Sequence, residues 1–141
     1  MIRELHKKMK SLDLEQLKED AVLQSKDDII RINQEQLRAG RSARDMIIRP
    51  SYTKQYLKLK QRMGSYHAPS GVPDLFLTGA FQGDMDVVVE NGEYDIISWD
   101  DKNAYLQTMY DDLFGLTEKG RQEIMPIVTA KLMQLIKDKL N

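Results

Sequence analysis

The sequence predicts an α+β fold, in which several helices pack against a small antiparallel sheet. One β-hairpin, over about residues 81–99, predicts the sheet. Its two runs, residues 81–90 and 93–99, are rich in β-branched and aromatic residues and flank the dipeptide Asn91-Gly92. Asn-Gly accepts the positive φ angles of a type I′ turn, whose twist matches that of paired strands. Apolar residues elsewhere recur at spacings of three and four, so we expect helices that bury one face against this hairpin.

Length and composition indicate a single domain over residues 1–141, with a helical N-terminal region (1–40) and an α+β core (41–141). The 41% hydrophobic and 30% charged residues are typical of a soluble globular protein. The absence of cysteine excludes disulfides and thiolate metal sites. The start of the chain is basic and polar, and no run approaches the ~20 apolar residues of a membrane span, so we expect folding in the cytoplasm.

Alternation along the hairpin predicts two different faces. Met85, Val87 and Val89 share one face, with Phe81 in phase. The opposite face of the first strand carries the residues Asp84, Asp86, Val88 and Glu90. On the second strand, Tyr94, Ile96 and Ser98 share one face. The other face carries Asp95, Ile97 and Trp99. Both faces of the sheet therefore carry some apolar residues.

Residues 1–24 are predicted to be helical, with a break near Ser11 and Asp13. Ser25 resembles the first residue of a capping box that opens a second helix, and Gly40 ends that helix. A connecting loop follows over residues 41–50, with a short extended piece at 46–48.

A basic helix is predicted over residues 52–63, with Ser51 as its N-cap and Gly64 after its end. We expect its apolar residues to face inward and its basic residues to lie in solvent. The inward set is Tyr52, Tyr56, Leu59 and Met63, and the solvent set is Lys54, Lys58, Lys60 and Arg62. Aromatic and basic residues together also suit nucleic acid, but an amphipathic helix is the commoner cause of this pattern.

The composition of residues 65–73 predicts a loop, in which His67 is expected to be a surface residue. Residues 75–77 are a candidate short strand. Asp100 or Asp101 is expected to cap a short helix that ends at about residue 110. Its predicted inward residues are Ala104, Tyr105, Met109 and Leu106.

The last helix is predicted to begin after Thr117 as its N-cap. Seven apolar residues keep the helical spacing over more than four turns: Ile124, Ile127, Val128, Leu132, Leu135, Ile136 and Leu140. Pro126 lies inside this pattern and lacks a backbone N–H, so we expect a kink or a restart there.

Charge is distributed unevenly along the chain. Residues 31–62 hold nine basic and two acidic residues, a balance of +7, whereas residues 84–101 hold seven acidic and no basic residues, a balance of −7. Four interpretations remain open: contact between the two regions, head-to-tail packing of copies, nucleic-acid binding by the basic region, or two solvated surfaces.

No residue set forms a recognisable catalytic or metal-binding motif. The adjacent acids at 100–101 and 111–112 are more typical of helix caps than of paired catalytic carboxylates. The acids of Asp84-Met85-Asp86 are expected on an exposed strand face, because no nucleotide-binding fold surrounds them. We therefore expect a protein that is not an enzyme and needs no cofactor.

Two short motifs carry a family resemblance. Leu77-Thr78-Gly79 leads into the hairpin, and residues 113–117 (Leu-Phe-Gly-Leu-Thr) precede the final helix. The region 75–141 resembles the tailed-bacteriophage virion morphogenesis proteins, the tail-completion or head-tail joining group. The usual proline-rich lead into the second motif is replaced here by residues 109–112 (Met-Tyr-Asp-Asp).

The resemblance implies a non-enzymatic subunit of a homo-oligomeric ring at the phage neck, assembled in the host cytoplasm and retained in the virion. Its partners would be copies of itself and other neck, connector or tail proteins. Non-specific contact with DNA is compatible with this role, and no contact with a membrane is expected. We expect the acidic hairpin, with its turn at Asn91 and Gly92, to face the basic region of a neighbour. The candidate interface residues are Arg49, Lys54, Lys58, Arg62, Asp84, Asp86, Glu90, Glu93 and Asp95. The alternative is a nucleic-acid-binding module that uses residues 31–62.

Overall fold

The predicted α+β class is confirmed by a computed structural model, which describes residues 2–64, 73–75, 79–90 and 92–141. These residues form seven helices and one two-stranded antiparallel sheet. The elements in chain order are α1 (Ile2–Lys10), α2 (Leu14–Gln24), α3 (Lys26–Arg38), α4 (Lys54–Arg62), α5 (Ala80–Gly83), β1 (Met85–Glu90), β2 (Glu93–Ser98), α6 (Asn103–Met109) and α7 (Glu118–Leu140).

The hairpin has the predicted register. Glu90 pairs with Glu93, which leaves a two-residue connection, and Gly92 has a φ of +77°. Asn91 lies outside the described residues. The predicted start of the first strand at residue 81 is wrong, because Gly79, at a φ of +89°, leads into the short helix α5. Phe81 is still buried, but from a helical turn that precedes the strand.

The predicted alternation of the hairpin is confirmed. Met85, Val87 and Ile96 are buried in the core, whereas Val88 and Trp99 on the outer face are exposed. Helices α2 and α3 pack against β1, and α7 packs against α1, α2 and α3. One hydrophobic core therefore lies between the inner face of the hairpin and these helices.

The predicted break in the N-terminal helix is confirmed, because Asp13 accepts a hydrogen bond from the Gln16 N–H and caps α2. Ser25 does not act as the predicted side-chain cap of α3. Its buried hydroxyl instead donates to the Ala21 carbonyl of α2 at 2.8 Å. This hydrogen bond lies at the junction between α2 and α3. The extended piece after α3 is confirmed by an isolated bridge between Arg41 and Ile47.

Helix α4 begins later than predicted. Thr53, not Ser51, is the N-cap, and its hydroxyl accepts a hydrogen bond from the Tyr56 N–H at 3.1 Å. Part of the predicted inward face is also wrong, because Leu59 and Met63 are exposed whereas Lys60 is buried.

The short helix α6 differs from the prediction in its cap and its packing. Lys102 is the residue before the helix and makes no side-chain cap, although the Asp100 carboxylate accepts from its N–H. Tyr105 and Met109, together with Ala104, are exposed rather than inward. Only Leu106 among the predicted inward residues packs against the core.

Helix α7 is held at its start by α3. The predicted cap is confirmed, since the Thr117 hydroxyl accepts from the Gly120 N–H. The α3 amides of Asn33 and Gln36 bind the backbone at Leu113, Gly115 and Thr117. The helix continues through Pro126 without the restart that the sequence allowed.

Two expectations fall largely or wholly outside the described residues. His67 lies there, so its predicted surface position stays a prediction. Of the candidate strand at 75–77, only Leu75 is described, and it has a φ of +56° and belongs to no strand.

Candidate functional site

A buried ion pair attaches α4 to the rest of the protein. The Lys60 Nζ lies 2.6 Å from the Asp74 Oδ1, and both side chains are fully buried. The Tyr52 hydroxyl donates to the same Asp74 oxygen at 3.3 Å and accepts from the Leu75 N–H at 2.9 Å. The Gln82 amide donates to the Asp74 backbone carbonyl at 2.7 Å. These contacts join the start of α4, residues 73–75 and α5.

Helical periodicity explains why Lys60 points inward. Tyr52, Tyr56 and Lys60 are spaced four apart, so they lie along one side of α4 and its N-terminal extension. The Lys60 ammonium lies 5.2 Å from the centroid of the Tyr52 ring, within cation–π distance. The two tyrosine rings are 4.6 Å apart. The sequence prediction assigned Lys60 to solvent, and this is wrong because Asp74, distant in sequence, supplies a buried counter-charge.

A groove opens beside this pair. Its volume is about 490 Å³. The walls come from α4, α5 and α6 and are mainly aromatic or apolar. The residues that form it are Pro50, Ser51, Tyr52, Thr53, Tyr56, Leu75, Gly79, Ala80, Phe81, Lys102, Tyr105, Leu106, Met109 and Tyr110. We call this the tyrosine groove, since four of these residues are tyrosines.

Three tyrosines of the groove, Tyr52, Tyr56 and Tyr110, are held in the neutral form. Burial raises the pKa of Tyr52 well above its ordinary value of 10.0, and the nearby Asp74 carboxylate adds to this shift. Burial also raises the pKa values of Tyr56 and Tyr110. A phenol with a raised pKa is a poor general base at neutral pH, so these groups provide contact surface and hydrogen bonds rather than proton abstraction.

The described residues contain no cluster of three or more His, Asp or Glu side chains that could hold a metal ion. The Lys60 ammonium and the Asp74 carboxylate bind each other beneath the groove wall. The arrangement suits binding of an apolar or aromatic surface, in which the tyrosine rings supply contact area and their hydroxyls supply polarity.

The four basic residues of the candidate interface are all exposed. Lys54, Lys58 and Arg62 are spaced four apart and therefore lie along the outer side of α4, opposite Tyr56 and Lys60. Arg49 precedes this helix in the chain. We call these four residues, Arg49, Lys54, Lys58 and Arg62, the basic ridge.

The acidic candidates lie on or next to the hairpin, and all but Asp86 are exposed. Asp86 accepts from the Trp99 indole N–H at 3.1 Å and lies 3.8 Å from the Lys26 Nζ. The Trp99 hydrogen bond, followed by one from the Val87 N–H, holds the pKa of Asp86 below its ordinary value. Asp86 is the only one of the five that forms a salt bridge with another described residue. We call Asp86, Glu90, Glu93 and Asp95 the acidic face.

Part of the positive charge of the basic region, residues 31–62, is paired within the chain. Three of its nine cations bind carboxylates of the same chain. Arg31 contacts Asp28, Glu35 and Glu123 at 3.2–3.5 Å, Arg44 lies 3.1 Å from Asp112, and Lys60 binds Asp74. These three cations are therefore already paired with acidic groups of their own chain.

Sequence reasoning identified the charged surfaces but missed the groove and the ion pair beneath it. The four-residue spacing that Lys60 shares with Tyr52 and Tyr56 could have indicated that this lysine points inward. No local pattern marked Asp74 or Gln82 as its neighbours. The turn at Gly92 was identified, and its N–H donates to the Glu19 carboxylate at 3.1 Å.

Comparisons with protein families, with curated proteins and with solved structures gave no match to this chain. None of the described helices is long and apolar enough to cross a membrane.

Proposed function

We propose that this chain is a non-enzymatic structural subunit that assembles head to tail with copies of itself. The observation that carries the proposal is the acidic face of the hairpin. Because side chains alternate along a strand, Asp86 and Glu90 of β1 share the outer face with Glu93 and Asp95 of β2. Neither strand contributes a lysine or an arginine.

Like charges meet directly on this face. Glu90 and Glu93 are register partners, and directly opposed like charges destabilise a strand pair by about 0.2–1 kcal/mol. The exposed Val88 lies on the same face, 39% accessible to solvent. A cationic surface with some apolar area would relieve the repulsion and cover the valine.

The basic ridge of a second copy has this character. Its cations line the outer side of α4, and the exposed Leu59 lies on the same helix. A contact between two different surfaces of identical chains is heterologous, and it closes into a ring when the rotation between subunits fits. Opposite charges would orient the encounter and speed association more than they would raise affinity.

The resemblance of residues 75–141 to phage virion morphogenesis proteins suggests where such a ring would act. We propose the junction of head and tail, as a neck or tail-completion subunit that contacts other neck, connector or tail proteins. Assembly would take place in the host cytoplasm, and the product would be part of the virion.

Nucleic-acid binding through the basic ridge is the second candidate function. The spacing of Lys54, Lys58 and Arg62 favours it, because three cations on one side of a helix can follow a phosphate backbone. Such binding weakens steeply as salt rises, since counterion release drives it. Arg31, Arg44 and Lys60, which belong to the same basic region of the chain, are already paired with carboxylates and would add little to it.

The test is charge reversal on the ridge. Lys58→Glu together with Arg62→Glu should reduce the mass in solution to that of one chain, 16.4 kDa, while the circular dichroism spectrum stays unchanged. Both residues are exposed, so the fold should tolerate the change. Light scattering at low salt measures the mass, and an oligomer of unchanged mass would rule out the ridge as an interface.

Two controls make this test specific. Lys131→Glu with Lys137→Glu changes the net charge equally but on α7, and it should leave assembly intact. Adding Glu90→Lys and Glu93→Lys to the ridge variant reverses both surfaces and should restore the oligomer. Failure of this restoration would show that the acidic face is not the partner of the ridge.

A further inference from the structure

We infer that Trp99 anchors the proposed head-to-tail contact and receives Lys54 from the basic ridge of a second copy. This inference rests on the proposed assembly function and specifies which parts of the two surfaces meet. Three features of the described structure support it: an exposed and oriented indole ring, acidic surroundings, and a basic ridge of matching length.

Trp99 is the single tryptophan of the chain, and its side chain lies in solvent. It is 68% exposed, more than any phenylalanine or tyrosine that the structure describes. It directly follows β2 and continues the hairpin ladder, because its backbone N–H donates to the Asp84 carbonyl at 3.0 Å. Since the preceding Ser98 is buried, alternation places Trp99 on the outer face, beside Asp86.

A hydrogen bond orients the indole ring. The indole N–H donates to the Asp86 Oδ2 at 3.1 Å. The Asp86 Oδ1 in turn accepts from the Val87 N–H at 2.8 Å and lies 3.8 Å from the Lys26 Nζ. A ring that is oriented before binding loses little conformational entropy when a partner covers it, and tryptophan is enriched among the residues that dominate interface energies. Trp99 therefore has the properties of an interface anchor.

The surroundings of the ring favour a cation as its partner. Four acidic residues adjoin Trp99 across the ladder, through its indole or in the chain: Asp84, Asp86, Asp100 and Asp101. Lys26 contacts Asp86 and Lys102 follows Asp101, so the balance of this set is −2. The face of an indole ring attracts an ammonium within about 6 Å of its centroid, most strongly where water is excluded. A lysine can also cover the ring with its stem while its ammonium reaches a carboxylate.

The basic ridge matches the acidic face in length. Lys54 and Arg62 are eight residues apart on α4, which is about 12 Å at 1.5 Å per residue. Asp86 and Glu90 are four residues apart on β1, which is about 13 Å. When Arg62 meets Glu90, Lys54 therefore reaches Asp86 and the Trp99 ring that is bound to it.

The paired acids at the hairpin tip set the direction of the ridge. Glu90 and Glu93 are register partners, so two carboxylates lie side by side there. A guanidinium has five donors and can bind two carboxylates at once, whereas an ammonium is a point charge. Arg62 therefore suits the tip, which leaves Lys54 for the end of the acidic face at which Trp99 lies.

Fluorescence measures the burial of Trp99 directly, because the chain has no other tryptophan. Under low-salt conditions in which the unmodified chain is an oligomer, acrylamide should quench its emission less than in the monomeric variant Lys58→Glu with Arg62→Glu. Acrylamide is uncharged, so the changed surface charge does not bias the comparison. Equal quenching in the oligomer and in the monomer would overturn the inference.

A substitution of Trp99 tests its share of the binding energy. Trp99→Leu removes the aromatic face but keeps an apolar side chain at this exposed position. It should raise the protein concentration at which half of the chains are assembled by roughly 5- to 30-fold, as expected for loss of a desolvated cation–π contact. The matched control is Tyr105→Leu, at a tyrosine of α6 that is 62% exposed, and it should leave this concentration unchanged. Light scattering over a dilution series measures both.

A double-variant cycle tests the pairing with Lys54. Lys54→Gln should weaken assembly of the unmodified chain more than assembly of the Trp99→Leu variant, because the latter has already lost the ring contact. Lys131→Gln removes the same charge from an exposed position on α7 and should have the same small effect in both backgrounds. Equal effects of Lys54→Gln in the two backgrounds would overturn the pairing.

The outcomes separate this inference from the proposed function. A monomeric unmodified chain at low salt would reject the assembly function, and the inference with it. An oligomer whose indole stays open to acrylamide, or one in which Trp99→Leu assembles as well as Tyr105→Leu, would reject only the role of Trp99. An oligomer with a protected indole and a coupled Lys54 would support both.

Discussion

The core side and the groove side of this protein are held together by different kinds of contact. On the core side, α2 and α3 pack against the inner face of the hairpin and α7 packs against α2 and α3, through buried apolar residues such as Ile29, Leu37 and Ile124. On the groove side, α4 is held by the buried pair of Lys60 and Asp74 and by the hydrogen bonds of Tyr52. The core side therefore combines many apolar contacts with the hydrogen bonds of Asn33 and Gln36, whereas the groove side depends on a few polar atoms.

This difference predicts unequal responses to substitution. Removing one partner of a buried ion pair leaves an uncompensated charge, whereas removing both partners can be nearly neutral. In an apolar core, by contrast, the cost of a substitution depends on the volume that it removes or adds.

The largest effect is expected from Lys60→Met. This change should lower the free energy of unfolding by about 3–5 kcal/mol, because Asp74 would remain buried without its cation. The matched control is Lys58→Met on the exposed side of the same helix, for which a change within about 0.5 kcal/mol is expected. Urea denaturation followed by circular dichroism measures both.

The double variant Lys60→Met with Asp74→Leu sharpens this prediction. It should recover most of the lost stability, because no charge is then buried. A single variant that unfolds no more easily than the Lys58→Met control would contradict the view that this pair holds the groove side together.

A smaller effect is expected on the core side from Gly120→Ala. A Cβ at Gly120 would lie 2.9 Å from Ile32 Cγ2 and 2.8 Å from the Gln36 amide oxygen, where α7 meets α3. Overpacking of this kind should cost about 1–3 kcal/mol in thermal or urea unfolding.

Its control is Gly83→Ala, at a position with no atom within 4 Å of the added carbon. That change should be neutral or should stabilise by up to about 1 kcal/mol, since alanine restricts the unfolded chain. Equal behaviour of the two variants would show that the close approach of α7 to α3 does not limit stability.

The smallest effect is expected from the ionisation of Tyr52 in the groove. Burial raises the folded-state pKa of Tyr52 above the ordinary 10.0, so the neutral phenol stabilises the fold below pH 10.0. This contribution is lost as pH rises above 10.0 toward the folded-state pKa, because the unfolded chain releases its proton first.

Ultraviolet absorbance of the phenolate measures this titration. The Tyr52→Phe variant should lack the last step of the titration curve. If the titration curve of the unmodified protein showed no step above the ordinary tyrosine pKa of 10.0, the groove would not be packed as described.

The sequence was sufficient for the features that local pattern encodes. The Asn91-Gly92 dipeptide placed the hairpin register, the spacing of the apolar residues after Thr117 placed α7, and Asp13 marked the break between α1 and α2. Each of these depends on residues close together in the chain, where periodicity and turn chemistry act directly.

The groove side could not be predicted in the same way, because its determinants are distant in sequence. Lys60 looked like a solvent residue until Asp74 was placed beside it, and Tyr105 and Met109 looked like core residues although they line an open groove. Pairing of a buried charge depends on the tertiary structure, and helical spacing alone does not distinguish an inward lysine from an exposed one.

The most direct test of the assembly account is the mass of the unmodified chain by light scattering, at low and high salt, with and without duplex DNA. We predict an oligomer several times heavier than 16.4 kDa at low salt, smaller at high salt and unchanged by DNA. A single chain at low salt that shifts onto DNA would contradict self-assembly and would favour nucleic-acid binding through the basic ridge.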